Sequence, residues 1–268
     1  MINSSRIINL DKPQTFVGVV CEFLWKKGYK KNLHQWLAAD EVRCRRFATF
    51  IETGGRDGDA GDFGAVATEF HTEFWEQYDF YTGFHGCFVE NPDDYRLRGI
   101  RAGNPDEIYR IAVEKFGREE KIRTVFEDLR ETGYLEHNTG KVFAVQSIEY
   151  FKEDGGFCHA KGSELLGMVA KKIGLSSEDI YASGDPSIIE FVAFKKWLLE
   201  ENAWQVLSRS VLLEGMARVF GFSWDRDFRH SGMVLDQSIP AQSLVKRYRC
   251  DQYGLPVELV EEYCECGG

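Results

Sequence analysis

The sequence predicts an all-α fold, built as a single helical domain over residues 1–268. Apolar residues recur at three- and four-residue intervals between the glycines and prolines, which is the period of helices with one buried face. Asn104-Pro105 and Asp185-Pro186 each place a capping side chain directly before a first-turn proline. No β-hairpin dipeptide stands between two alternating apolar segments, so hairpins are not expected.

Two helices separated by a glycine-rich connector are predicted in the first third of the chain. Residues 14–54 place Leu33, Trp36 and Leu37 at helical spacing, and Gly54-Gly55 ends this helix. Residues 55–64 are polar and rich in glycine without the lysine of a phosphate-binding loop. An aromatic-rich helix is predicted over 65–82.

Further helices are predicted along the rest of the chain. Charged helices occupy 105–132, and the region 86–145 is interpreted as an insertion or subdomain of the helical bundle. Leu165, Val169 and Ile173 share one face of a later helix, and Gly174 follows its end. The predicted helices of the second half are 141–153, 159–173, 185–201, 203–220, 241–250 and 256–264.

Charge and hydropathy exclude several classes of protein. The chain has 33 basic and 43 acidic residues, a net charge of −10, whereas nucleic-acid binders concentrate positive charge. No window approaches ~20 consecutive apolar residues, so no membrane span is expected. The N-terminus lacks a basic segment leading into an apolar one, so no signal peptide is expected. A soluble, cytoplasmic protein without nucleic-acid or membrane partners is therefore predicted.

The seven cysteines point to the same compartment. Their number is odd, their spacing is wide and no Cys-x-x-Cys pair occurs. A disulfide framework and a zinc site of the usual spacing are therefore not expected.

Glu214 is the first candidate for a functional carboxylate. It lies beside the apolar stripe of the predicted helix 203–220, and a buried carboxylate must be paired, protonated or bound to a metal. One interpretation is an ion pair with Arg218, four residues on, and the other is a metal or substrate ligand. Glu149 and Glu153 share a helical face upstream of His159, and carboxylate with imidazole suits iron, manganese or zinc.

A second carboxylate–imidazole patch is considered on the aromatic-rich helix. His71 and His85 are fourteen residues apart and share a face if that helix continues through Gly83, beside an acidic row that includes Glu69 and Glu73. The alternative is a solvated acidic stripe beside an aromatic core face.

Three segments carry a family resemblance. Glu153-Asp-Gly-Gly-Phe-Cys-His159-Ala, the run from Leu165 to Asp179, and Leu213-Glu214-Gly215 together resemble the haem-oxygenase-like iron-containing redox enzymes, the group that includes pyrroloquinoline-quinone-synthase-like proteins. That family places a Glu and a His on one core helix and another Glu fifty-odd residues later. The resemblance implies a haem-oxygenase-like helical bundle in which Glu153, His159 and Glu214 bind iron, as part of a di-iron site that activates dioxygen.

The last core helix of that family carries a His, an acid four residues on, and a second His three residues later. In the matching window, 247–254, the acid is present as Asp251 and the histidines are absent. His230 is the candidate for the missing imidazole ligand.

Two functional hypotheses follow. The first is an iron-dependent oxidase or oxygenase acting on a small organic substrate. The second is a metal-free protein of the same fold, either a cofactorless enzyme or a binding or interaction protein. A homodimer is the oligomeric state considered.

Overall fold

The computed structural model describes residues 7–27, 61–152, 164–176, 184–199, 201–220, 232–251 and 255–263. The chain divides into two compact units, which are described separately. The first unit comprises residues 1–82 and 200–231, and the second comprises residues 83–199 and 232–268. The region 86–145, interpreted above as an insertion or subdomain, falls within the second unit.

Both helices and strands occur in the described part of the chain. The helices are α1 (Val17–Lys26), α2 (Gly61–Gln77), α3 (Pro92–Arg98), α4 (Pro105–Phe116), α5 (Glu119–Glu131), α6 (Tyr134–Asn138), α7 (Glu164–Lys172) and α8 (Glu201–Phe220). The strands are β1 (Ile7–Ile8), β2 (Phe80–Val89), β3 (Val142–Val145), β4 (Asp185–Phe194), β5 (Gly232–Leu235), β6 (Leu244–Cys250) and β7 (Pro256–Glu262). Among these helices, none has the length and apolar character needed to cross a membrane.

The predicted all-α, haem-oxygenase-like bundle is wrong, because the protein is a mixed α/β protein with a large, mainly antiparallel sheet. The strand order is β5-β3-β2-β4-β6-β7, and β1 pairs in parallel with the start of β2. The antiparallel ladders join β2 to β3, β3 to β5, β4 to β6 and β6 to β7. Four of the predicted helices, 141–153, 185–201, 241–250 and 256–264, contain β3, β4, β6 and β7 instead.

Strand β4 shows why the sequence pattern predicted a helix where the protein has a strand. Its apolar run from Ile188 to Ala193 is interrupted only by Glu190, and the strand is buried along nearly its whole length. A strand covered on both faces has no alternation, and such a run does not distinguish a buried strand from a buried helix. Pro186 therefore starts a strand, a position that a proline tolerates, and not a helix.

The first unit is held together by three helices. Helix α8 contacts both α1 and α2, and Phe23 of α1 meets Phe70 of α2 edge to face with ring centroids 5.1 Å apart. Gly215 of α8 lies so close to α1 that a Cβ atom at this position would stand 2.6 Å from the Val20 side chain. The predicted helices 65–82 and 203–220 are thus confirmed in substance, although α2 ends at Gln77.

In the second unit, helices α4, α5, α6 and α7 share one apolar core. Its buried centre includes Ala112, Ile122, Phe126 and Val169. The predicted start of α4 is confirmed, since the Asn104 side chain accepts hydrogen bonds from two backbone amides of the first turn at 3.1 and 3.3 Å. These charged, amphipathic helices cover their own core and need no partner for it.

Both edges of the sheet are protected against pairing with another chain. At one edge, residues 197–199 run along β5, with hydrogen bonds of 2.9 Å from Leu199 N to Val234 O and from Asp236 N to Trp197 O. The other edge strand, β7, begins with Pro256 and contains two irregularities in its register with β6. Proline, bulges and glutamates along an edge are features that discourage strand addition.

Candidate functional site

The structure places two of the five predicted metal ligands. Glu214 is buried in α8 and forms an ion pair with Arg218, with Oε1 2.9 Å from the guanidinium. This is the i,i+4 alternative that the spacing left open. Asp251 follows β6, and its Oδ1 accepts a hydrogen bond of 2.9 Å from Leu255 N. Glu214 lies in the first unit and Asp251 in the second.

Glu153, His159 and His230 lie outside the described residues. Within the part of the chain that is described, no group of three or more His, Cys, Asp or Glu side chains could hold a metal ion. The sequence predicted a metal-binding, iron-containing oxidoreductase of all-α fold. The all-α fold is wrong, and the described residues contain no set of side chains that could bind the metal.

The second predicted patch, around His71 and His85, is not formed by one helix. Helix α2 ends at Gln77, and His85 lies on β2, where its Nδ1 is 2.8 Å from the Phe143 carbonyl oxygen. His71 Nδ1 lies 3.1 Å from Ser208 Oγ, a contact between α2 and α8. Because Ser208 is 0% exposed, its hydroxyl cannot meet a substrate, and we interpret the contact as structural.

A pocket in the second unit offers a better candidate. It has a volume of about 410 Å³ and is lined by Arg96 of α3, by Glu262 and Tyr263 at the end of β7, and by Ala241 and Gln242 before β6. A guanidinium, an amide and a phenol thus converge on one concave surface. We call it the α3–β7 pocket.

Local geometry at both ends of α3 positions Arg96. The Asn91 side chain caps the start of the helix by accepting from Asp93 N at 3.1 Å. Gly99 ends the helix with φ of 72°, and its N–H donates to Tyr95 O at 2.9 Å. The next residue, Ile100, exchanges backbone hydrogen bonds of 2.9 and 2.8 Å with Ile239. The C-terminal end of the short helix is thereby tied to the segment that precedes β6.

The carboxylate of Glu261 holds Arg96 in place. It is hydrogen-bonded to Arg96 Nε and lies 3.3 Å from Nε of Arg247, its cross-strand neighbour on β6. The side chains of Arg247 and Glu261 are both only 7% exposed. Two guanidinium groups therefore share one buried carboxylate, and the exposed Asp93, 3.4 Å from Arg96 Nη1, supplies a second negative charge.

Within the described residues, the buried Nη1 of Arg247 at this face has no hydrogen-bond partner. The Glu261 carboxylate acts on the Tyr263 phenol through its charge. Burial, together with that charge, raises the pKa of Tyr263 well above its usual range, so the phenol stays protonated and can act as a donor.

The thiols and phenols beside this network are neutral at physiological pH. Burial raises the pKa of Cys87 to about 12, against the smaller opposing effects of a hydrogen bond with Tyr95 and of the Arg247 charge. Burial also raises the pKa of Cys250 to about 12. A protonated thiol is a poor nucleophile, so the arrangement suits binding better than covalent catalysis.

We expect stability to fall as pH rises from 9 towards 12. The folded pKa of Cys87, about 12, lies above its ordinary value of 9.0, so only the unfolded thiol ionises in this window. The buried Cys87 thiol therefore makes its full contribution to the free energy of unfolding below pH 9. That contribution is lost as pH rises, at up to about 1.4 kcal/mol per pH unit. Urea unfolding at a series of alkaline pH values measures the loss.

The matched control for this pH dependence is Cys87→Ala. It lowers stability at neutral pH, but it should reduce the alkaline slope by about one proton equivalent. An unchanged slope would show that Cys87 ionises in the folded protein as easily as in the unfolded one.

No motif in the sequence indicated the α3–β7 pocket. Arg96 lies in a stretch that showed no regular pattern, and Gln242 and Tyr263 were assigned to short helices. The alternation Val257-Glu258-Leu259 was the available signal for β7. It would have placed Glu261 and Tyr263 on a strand, but it does not identify Arg96 as their neighbour, because that contact spans 165 residues of sequence.

By its fold and this site, the chain is a mixed α/β protein with a polar pocket beside the edge strand of its sheet. Comparisons with known protein families, with curated proteins and with solved structures find no match to this chain.

Proposed function

We propose that the protein binds a small polar organic molecule in the α3–β7 pocket. A small-molecule partner was predicted from the sequence, and a binding protein was one of the two functional hypotheses. The proposal does not keep the iron-dependent oxidase, because the bundle on which that hypothesis depended is not the fold. Glu214, moreover, is engaged by Arg218.

The pocket with the oriented guanidinium of Arg96 at its wall is the observation that carries the proposal. Tyr263 lines the pocket together with Arg96 and Gln242. Ligand sites usually measure ~300–1,000 Å³ and contain a few convergent polar groups. The volume of about 410 Å³ falls in that range.

The guanidinium of Arg96 is prepared for a ligand by the residues around it. Its Nε donates a hydrogen bond to Glu261 and its Nη1 donates one to Asp93, so the guanidinium group is held in one orientation. Its Nη2 makes no hydrogen bond within the described residues. A preorganised donor loses little conformational entropy on binding. Partner binding through a free sheet edge is less well supported, since β5 is paired by residues 197–199 and β7 is irregular.

Ligand-observed NMR with a library of polar molecules tests the proposal. The library should contain carboxylic acids, amino acids, sugars, sugar phosphates and nucleosides. We expect at least one class to bind and its affinity to fall about 10- to 100-fold in Arg96→Gln, because a hydrogen bond to a charged group contributes about 1.5–3 kcal/mol.

The matched control is Arg110→Gln. Arg110 is an exposed arginine of α4 with its own carboxylate partner, Glu114, at 3.1 Å, and its replacement should leave binding unchanged. Equal binding by Arg96→Gln and Arg110→Gln would contradict the proposal.

A further inference from the structure

We draw no further inference here: the strongest candidate, the surface patch of exposed apolar side chains that Phe143 and Leu199 place on either side of Val234 in β5, carries no proposal, because nothing in the described part of the chain shows what covers it.

Discussion

Replacing Glu261 with glutamine is expected to lower the free energy of unfolding by about 3–5 kcal/mol. The substitution keeps the shape of the side chain but leaves the buried guanidinium of Arg247 without its counter-charge. Both side chains are only 7% exposed, and a buried charge that loses its partner is strongly destabilising. Urea unfolding at neutral pH, followed by circular dichroism, measures the loss.

Glu258→Gln is the matched control for this prediction. Glu258 lies on the same strand and pairs across it with Arg249 at 3.2 Å, but these side chains are 57% and 43% exposed. Exposed ion pairs contribute little to the free energy of unfolding, so Glu258→Gln should lower it by less than about 0.5 kcal/mol.

The double variant Arg247→Met/Glu261→Leu tests the physical cause. Removing both charges together should recover most of the stability, because no unpaired charge remains. Equal losses in Glu261→Gln and Glu258→Gln would show that burial of the Arg247–Glu261 pair has no energetic consequence.

Replacing Gly99 with alanine is expected to destabilise the protein by about 3 kcal/mol or more. Its φ of 72° is unfavourable for a residue with a side chain, and its Cβ would stand 2.0 Å from the Ile239 carbonyl oxygen and 2.8 Å from Ala241 N. That carbonyl cannot move away freely, because it accepts a hydrogen bond of 2.9 Å from Ile100 N. The clash must therefore be relieved by moving the end of α3. Chemical denaturation measures the effect on stability.

Gly117→Ala separates conformational strain from this clash. Gly117 ends α4 with φ of 62° and the same 2.9 Å capping hydrogen bond to the preceding turn, but no atom lies within 4 Å of its Cβ position. It should cost only about 1–3 kcal/mol, the strain of a backbone conformation (φ 62°, ψ −146°) that is almost restricted to glycine. If the two variants lose equal stability, the contact with Ile239 is not the cause. Gly99→Ala should also weaken ligand binding, because Arg96 lies one turn before the displaced end of α3.

Local signals in the sequence predicted several elements of the fold. Asn104 caps α4 as expected, because capping involves atoms within three residues of each other. Helix α8 was predicted from its apolar residues, and the pair of Glu214 with Arg218 was one of the two alternatives for that carboxylate. Such features depend on neighbours in sequence, which the pattern displays directly.

The sheet was not predicted because its strands lack a local pattern that distinguishes them from helices. Strand β4 is covered on both faces, so its apolar run has no alternation. The register shifts between β6 and β7 further disturb the alternation of β7. The helical period was therefore assigned to segments whose hydrogen bonds are made with distant strands.

By itself, the sequence determined the cap of α4, several amphipathic helices and an acidic chain that can bury a core. Only the tertiary structure decided the strand order and the site. The carboxylate of Glu261 reaches Arg96, 165 residues away, because sheet pairing and the turn at Gly99 bring α3 against β7. Contacts over such distances depend on the global arrangement of strands, and local spacing carries no information about which strands become neighbours.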